Sequence, residues 1–324
     1  MNPLDGVGTR RHNVGMKLFY ADEFVLPLPA GHRFPMQKYR MLRERLAASG
    51  EFPAADFCVP PAASFAELCR AHAPDYIMRV ERGELTPQET KLIGFPWSLE
   101  MAERCKRSSA ATIAACRAAV DDGVAANLAG GTHHAFYDHG EGFCVFNDAV
   151  IAARAMQAEG RAKNVAVIDC DVHQGNGTAA IANGDTSIFT FSIHGVRNYP
   201  FRREFASDLD IDLADGTADD AYLEALSEGL KDLFGRFTPD LVIYLAGADP
   251  YLDDRLGRLK VSIEGLRRRD EIVFDACATR RLPVAIAMAG GYARKIEDTV
   301  VIHTNTVLAA KRFYTRQSAP VSVL

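Results

Sequence analysis

The sequence has no Cys-x-x-Cys pair, and its seven cysteines (Cys58, Cys69, Cys105, Cys116, Cys144, Cys170 and Cys277) are odd in number. That argues against a disulfide framework and against a cysteine zinc cluster, and for a reducing compartment. No uninterrupted apolar run reaches the length of a membrane span, and the N-terminus lacks the apolar core of a signal peptide. We therefore expect a soluble, cytoplasmic protein. Basic residues gather on no single segment and the net charge is −5, so direct binding to DNA or RNA is disfavoured. A protein tail whose lysine has been neutralised is left open as a substrate. There is no internal repeat, no low-complexity tract and no Pro/Gly/Ser-rich linker. With 48% hydrophobic and 24% charged residues over 324 positions, this reads as one globular domain over residues 17–324. Residues 1–16, with Gly6, Gly8, Arg10 and Arg11, read as a flexible leader.

What is present is alternation. Short apolar runs rich in Val, Ile and Phe occur at Lys17–Tyr20, Val124–Leu128, Val165–Ile168, Ser187–Ile193, Leu241–Leu245 and Val284–Met288. Bounded by Gly, Asp or Pro, they predict buried parallel strands. Between them, helices are predicted over Arg33–Ala48, Ser98–Val120, Ala149–Ala158, Ala221–Phe234, Glu264–Arg281 and Ile296–Arg312. Asn147 is placed to cap the third and Gly160 to stop it. The Asp219–Asp220 pair suits the N-terminus of the fourth. Strands alternating with helices imply an α/β fold, a parallel sheet covered by helices on both faces.

The polar residues that interrupt this pattern share an address. His133 and His134 follow the second strand, and Asp169, Asp171 and His173 follow the third. Ser192 and His194 close the fourth, Asp249 follows the fifth and Tyr292 the sixth. Open α/β sheets place ligands at the carboxyl ends of their strands, and five such sets predict an active site. In Asp169-Cys170-Asp171-Val172-His173, residues two apart point the same way in extended backbone, so Asp171 and His173 can meet on one ion. With Asp249 they make an Asp-His-Asp set, which zinc accepts while leaving a fourth position for water. Asp249 alone reads better as a helix cap, and it is the combination with Asp171 and His173 that points to a metal.

His133 and His134, in a Gly-rich loop beside that set, suit acid–base work near neutral pH. Asp169 and Asn176 are at hand to orient them. Gly290-Gly291-Tyr292 reads either as a tight turn with a packed aromatic or as a hinge that brings a hydroxyl to a developing oxyanion. Gly142-Phe143-Cys144-Val145-Phe146-Asn147 and Asn198-Tyr199-Pro200-Phe201 read either as core or as aromatic walls for an aliphatic chain.

Together these motifs, in this order, resemble the histone deacetylase superfamily within the arginase/deacetylase fold. Phe95-Pro96-Trp97, Asn198-Tyr199-Pro200-Phe201, Gly247-Ala248-Asp249-Pro250 and Asp253-Asp254-Arg255-Leu256-Gly257 look closest to its bacterial and class IV members. The resemblance implies a zinc-dependent deacylase acting on an acylated lysine or related amine, with Asp171, His173 and Asp249 holding Zn2+. It implies His134 as general base and acid, His133 as electrostatic support backed by Asp169, and Tyr292 polarising the scissile carbonyl. Asn176 stands behind His134 where the family has Asp or Asn, and should leave it less basic than Asp would. Gly142, Phe143 and Phe201 would line the acyl-lysine channel. A potassium ion is implied at Asp169, Asp171, His173, Ser192 and Ile193. A two-metal ureohydrolase of the same fold is disfavoured, because Gly175 and Tyr251 stand where its second-metal ligands are needed. An acetylpolyamine amidohydrolase and a catalytically silent acyl-ligand-binding protein stay as alternatives.

Overall fold

The computed structural model describes residues 15–317. Its centre is one eight-stranded sheet: β1 (Lys17–Phe19), β2 (Phe57–Cys58), β3 (Val124–Asn127), β4 (Val165–Asp169), β5 (Ile188–Gly195), β6 (Leu209–Leu213), β7 (Leu241–Leu245) and β8 (Val284–Ala287). The spatial order is β2-β1-β3-β8-β7-β4-β5-β6, and every neighbouring pair is parallel. The four central strands, β3, β8, β7 and β4, are buried at every position. Their small and β-branched residues fit a sheet covered on both sides. Ile168, Tyr244 and Ile286 point into one core with the helices Gln37–Ala48, Asp219–Arg236, Ile263–Thr279 and Ile296–Gln317. Val167, Ile243 and Ala285 point into the other, against Leu99–Asp122 and Asp148–Ala158. Because β3, β8, β7 and β4 are neighbours, the loops leaving their carboxyl ends lie side by side.

All six expected strands form, Leu241–Leu245 with the expected bounds and the others with ends shifted by one or two residues. β4 runs on to include Asp169 and β5 runs on to Gly195. The two strands absent from the expectation, β2 and β6, are the sheet edges. One has two residues, and the other, Leu-Asp-Ile-Asp-Leu, is mostly only half-buried, so neither carries a continuous apolar run.

The first helix begins at Gln37, not Arg33. Pro35 disfavours helical geometry at Phe34, which frees that ring for another use. Four short helices were also not expected: Phe65–Leu68, Pro74–Arg82, Pro87–Ile93 and Asn176–Ala182. Two carry legible start signals, the reciprocal capping boxes Ser64/Glu67 and Thr86/Glu89. The leader expected over residues 1–16 lies outside the described residues except for Gly15 and Met16, and Met16 is buried. The cysteines are all free, and no described helix is long and apolar enough to cross a membrane.

One buried ion pair ties the helices to the loops above the sheet. Arg269 and Asp270 are both fully buried and paired at 2.8 Å. The Arg269 guanidinium donates to the carbonyls of Gly247 and Cys170, while Asp270 accepts from Tyr244 and Thr306, each at 2.6 Å. Removing one member of such a pair leaves an uncompensated buried charge. Arg269→Met is expected to lower the unfolding free energy by about 3–5 kcal/mol, read as a lower urea midpoint at unchanged slope.

Candidate active site

Asp171 and His173 leave the end of β4, and Asp249 arrives from the loop after β7, the neighbouring strand. Their ligand atoms lie within 4.8 Å of one another. The His173 Nδ1 is 2.9 Å from Asp171 Oδ1 and 3.5 Å from Asp249 Oδ2. The Val172 amide donates to Asp249 Oδ1 at 2.9 Å, and the Gly290 amide donates to Asp171 Oδ2 at 2.8 Å. Asp249 Oδ2 is buried with no hydrogen-bond donor. An anionic oxygen left so is costly unless a cation meets it. Gly290 completes the cradle, since a Cβ there would fall 1.9 Å from Asp249 Oδ2 and 2.5 Å from Asp171 Oδ2. These residues fit a bound metal ion.

The same carboxylates draw a proton onto His173. Burial works against the His173 imidazolium, but the hydrogen bond to Asp171 and the negative charges of Asp171 and Asp249 push it up to about 10. Burial, then the Asp171 charge, raises Asp249 to about 7. Burial opposes ionisation of Asp171 too, yet His133 and His173 hold it well below the usual carboxylate range. A metal ion binding here displaces a proton from His173.

His133 and His134, in the loop after β3, stand with ring centroids 4.1 Å apart and take opposite charge states. His133 Nδ1 meets Asp169 Oδ2 at 2.6 Å. Burial disfavours its cation, but the charges of Asp169 and Asp171 outweigh that and raise it to about 9. His134 Nδ1 meets Asn176 Oδ1 at 2.6 Å. Burial, then the cationic His133 and His173, hold it well below its usual value. At neutral pH the pair is one imidazolium and one neutral imidazole. With Asn176 Oδ1 as acceptor, Nδ1 of His134 carries the hydrogen and Nε2 keeps its lone pair. The Asn176 carboxamide is itself held, within hydrogen-bonding reach of Glu141 and Tyr199.

Tyr292 is set by backbone: its amide donates to the buried Asp254 at 2.6 Å, and its carbonyl accepts from the Arg255 amide at 3.2 Å. Burial and then the Asp249 charge raise its hydroxyl well above 10, so it stays a donor. Lys38, which belongs to none of the motifs above, is buried beneath this turn. Its Nζ lies 3.4 Å from the carbonyls of Ala289 and Gly291 and 5.3 Å from the centre of the Tyr292 ring.

These groups open into a cavity of about 690 Å³. Phe143 forms one wall in a left-handed backbone (φ 67°), rare for a residue with a side chain. Hydrogen bonds from the Gly142 and Phe143 amides to the Leu92 and Ile93 carbonyls hold it there. Gly142 is needed for closeness, since a Cβ would lie 2.7 Å from His134 Cδ2. Phe34, hidden within the helix expected over Arg33–Ala48, packs on Phe143 at 5.3 Å and on Tyr292 at 6.1 Å. Phe201 also lines the cavity but is 79% exposed. The ring against His134 is Tyr199, edge-on at 4.8 Å. Nothing in Asn-Tyr-Pro-Phe distinguishes the two aromatics beforehand. Ser192 and Ile193 are buried on β5, with Ser192 the register partner of Asp169 and its hydroxyl 2.9 Å from His194 Nδ1.

A buried Asp-His-Asp set beside a neutral imidazole, at the floor of an aromatic-walled cavity, is an arrangement suited to metal-assisted hydrolysis. Residues 32–308 match the family model of the histone deacetylase domain, and the chain belongs to that family. It is 41% identical to an uncharacterized protein of Picosynechococcus sp. over 93% of this chain and 100% of that one. It is 30% identical to histone deacetylase 2 of Arabidopsis thaliana over 83% of this chain and 73% of that one. The crystal structure of an acetylpolyamine aminohydrolase from Burkholderia pseudomallei superposes with a TM-score of 0.71, covering 92% of this chain and 99% of that one at 24% identity. At that identity the likeness is one of fold.

Proposed function

We propose that the protein is a zinc-dependent deacylase that hydrolyses the side-chain amide of an acylated lysine. The observation that carries this is the convergence of Asp171, His173 and the donor-less Asp249 Oδ2 beside the neutral His134. Zinc held by those three residues supplies a Lewis acid toward the amide carbonyl and makes water more acidic. His134 Nε2 takes the proton from water as it adds to the carbonyl carbon. The fixed positive charge of His133, backed by Asp169, offsets the negative charge that develops, and Tyr292 donates a hydrogen bond to the oxyanion. His134 then returns the proton to the departing nitrogen, giving a carboxylate and a free amine. Phe143 and Tyr199 flank the aliphatic chain and exclude water, and Phe201 stands at the mouth. A potassium ion beside the site, at Asp169, Asp171, His173, Ser192 and Ile193, belongs to the same reading.

The test is a panel of acyl-lysine peptides of increasing acyl length, run beside acetylpolyamines with zinc-loaded protein. At least one acyl-lysine peptide is expected to be hydrolysed. Hydroxamates should block the reaction, a chelator should abolish it and zinc should restore it. Zinc bound in stoichiometric amount with no amide cleaved would instead describe an acyl-ligand-binding protein.

A further inference from the structure

The cavity leading to Asp171, His173 and Asp249 is charged on one side only. Apart from those two aspartates at its floor and the histidines, every charged residue lining it among the described residues is a cation: Arg33, Lys91, Arg197 and Arg258. The chain as a whole carries 37 basic and 42 acidic residues, so the mouth does not mirror the surface at large. The four come from separate segments: the loop before Gln37–Ala48, the helix Pro87–Ile93, the loop after β5 and the loop before Ile263–Thr279. All four are exposed.

Arg258 reaches Asp215 at 3.4 Å. Among the described residues, no carboxylate lies within ion-pairing distance of Arg33, Lys91 or Arg197. The Arg33 guanidinium rests 5.4 Å from the centre of the Phe143 ring, which holds it against the channel wall. Unpaired like charges around one opening repel one another, and an anion brought among them relieves that repulsion. A concave, low-dielectric mouth also focuses the field. A divalent metal on Asp171 and Asp249 leaves the floor near neutrality, so the floor does not cancel the rim.

We propose that this rim selects acylated amines flanked by carboxylates, namely an acyl-lysine within an acidic peptide segment, and rejects acylated amines that carry further positive charge. The proposal rests on the deacylase reading of the same site. Four cations on four separate segments exceed what the single carboxylate of a free acyl-amino acid can engage. An acetylated polyamine must carry its remaining ammonium groups past all of them.

The experiment compares kcat/KM for acyl-lysine peptides identical except for Asp/Glu, neutral or Lys/Arg flanks, together with free Nε-acetyl-lysine and N-acetylputrescine. Each exposed charge contributes a factor of about 1.4–5, so the acidic-over-basic ratio is expected at about tenfold or more in low salt. It should fall toward one at about 1 M salt, where charges act over only roughly 3 Å. Lys91→Glu/Arg197→Glu should reverse the order of the peptides. The ratio is read within one protein sample, so partial loss of folded enzyme does not affect it.

Equal rates on acidic and basic peptides, or faster turnover of N-acetylputrescine or free Nε-acetyl-lysine than of the acidic peptide, overturns the proposal. Fluorescence anisotropy with the labelled peptides reads the same ratio as affinities. If no amide is cleaved, the deacylase reading fails, while an acidic-over-basic affinity ratio that reverses in the variant still supports the rim.

Discussion

Tyr292→Phe is expected to lower kcat by about 10²–10³-fold, as the loss of one oxyanion donor does, with KM and bound metal little changed. The phenol is placed for this by contacts that the substitution keeps. Its backbone is tied to Asp254 and Arg255, and its ring packs against Phe34 and Phe143. Only the hydroxyl is lost. Because burial and the Asp249 charge keep that hydroxyl protonated well above pH 10, the wild-type pH profile should show no alkaline limb from Tyr292. The kcat/KM split distinguishes this role from a packing role. A ring needed only as a wall is kept whole in the Phe variant, which would then turn over at the wild-type rate with KM and stability unchanged. That result reassigns the hydroxyl.

Much of this site could be read in the chain because chemistry is concentrated where strands end. Asp171-x-His173 and Asp249 are conspicuous as polar residues closing apolar runs, and the adjacency of β4 and β7 brings them together. His133 and His134 follow β3 by the same logic. The residues that escaped notice are those whose role depends on long-range packing. Lys38 lies in an ordinary amphipathic helix, and only the fold sets its ammonium group under the Gly290-Gly291-Tyr292 turn. Phe34 falls within the apolar pattern of a helix that Pro35 prevents from starting so early. Tyr199 and Phe201 are indistinguishable until the loop after β5 is placed. The edge strands are not legible in the chain because edges need neither continuous hydrophobicity nor length. The basic rim is the extreme case: its four members are spread across more than two hundred residues, so no window of sequence shows a cluster.

Asn176 is a choice that the structure makes intelligible. Its carboxamide can accept from His134 through Oδ1 and offer its amino group to Glu141, whose carboxylate also accepts from Tyr199. An aspartate at 176 could do only the first, and would set a second carboxylate beside Glu141. The amide therefore fixes the His134 tautomer without adding negative charge, and the base stays weakly basic.

That weak basicity governs the second large effect. His134→Ala is expected to lower kcat/KM by about 10²–10⁴-fold, the range for a lost general acid–base group, while Asp171, His173 and Asp249 still bind metal. In the wild type the sign follows from the depressed value. His134 is in its basic, proton-accepting form at every pH above that value, so kcat/KM should hold through pH 6.5 and fall only in more acidic solution. Asn176→Asp stabilises the imidazolium, moves that acidic limb to higher pH and costs activity near neutrality. The pH–rate profile of kcat/KM measures both. His133 offers the control: its cation persists to about pH 9, so loss of its charge belongs to the alkaline side of the curve. An acidic limb that does not move in Asn176→Asp, or that survives unchanged in His134→Ala, would assign the proton transfer to another group.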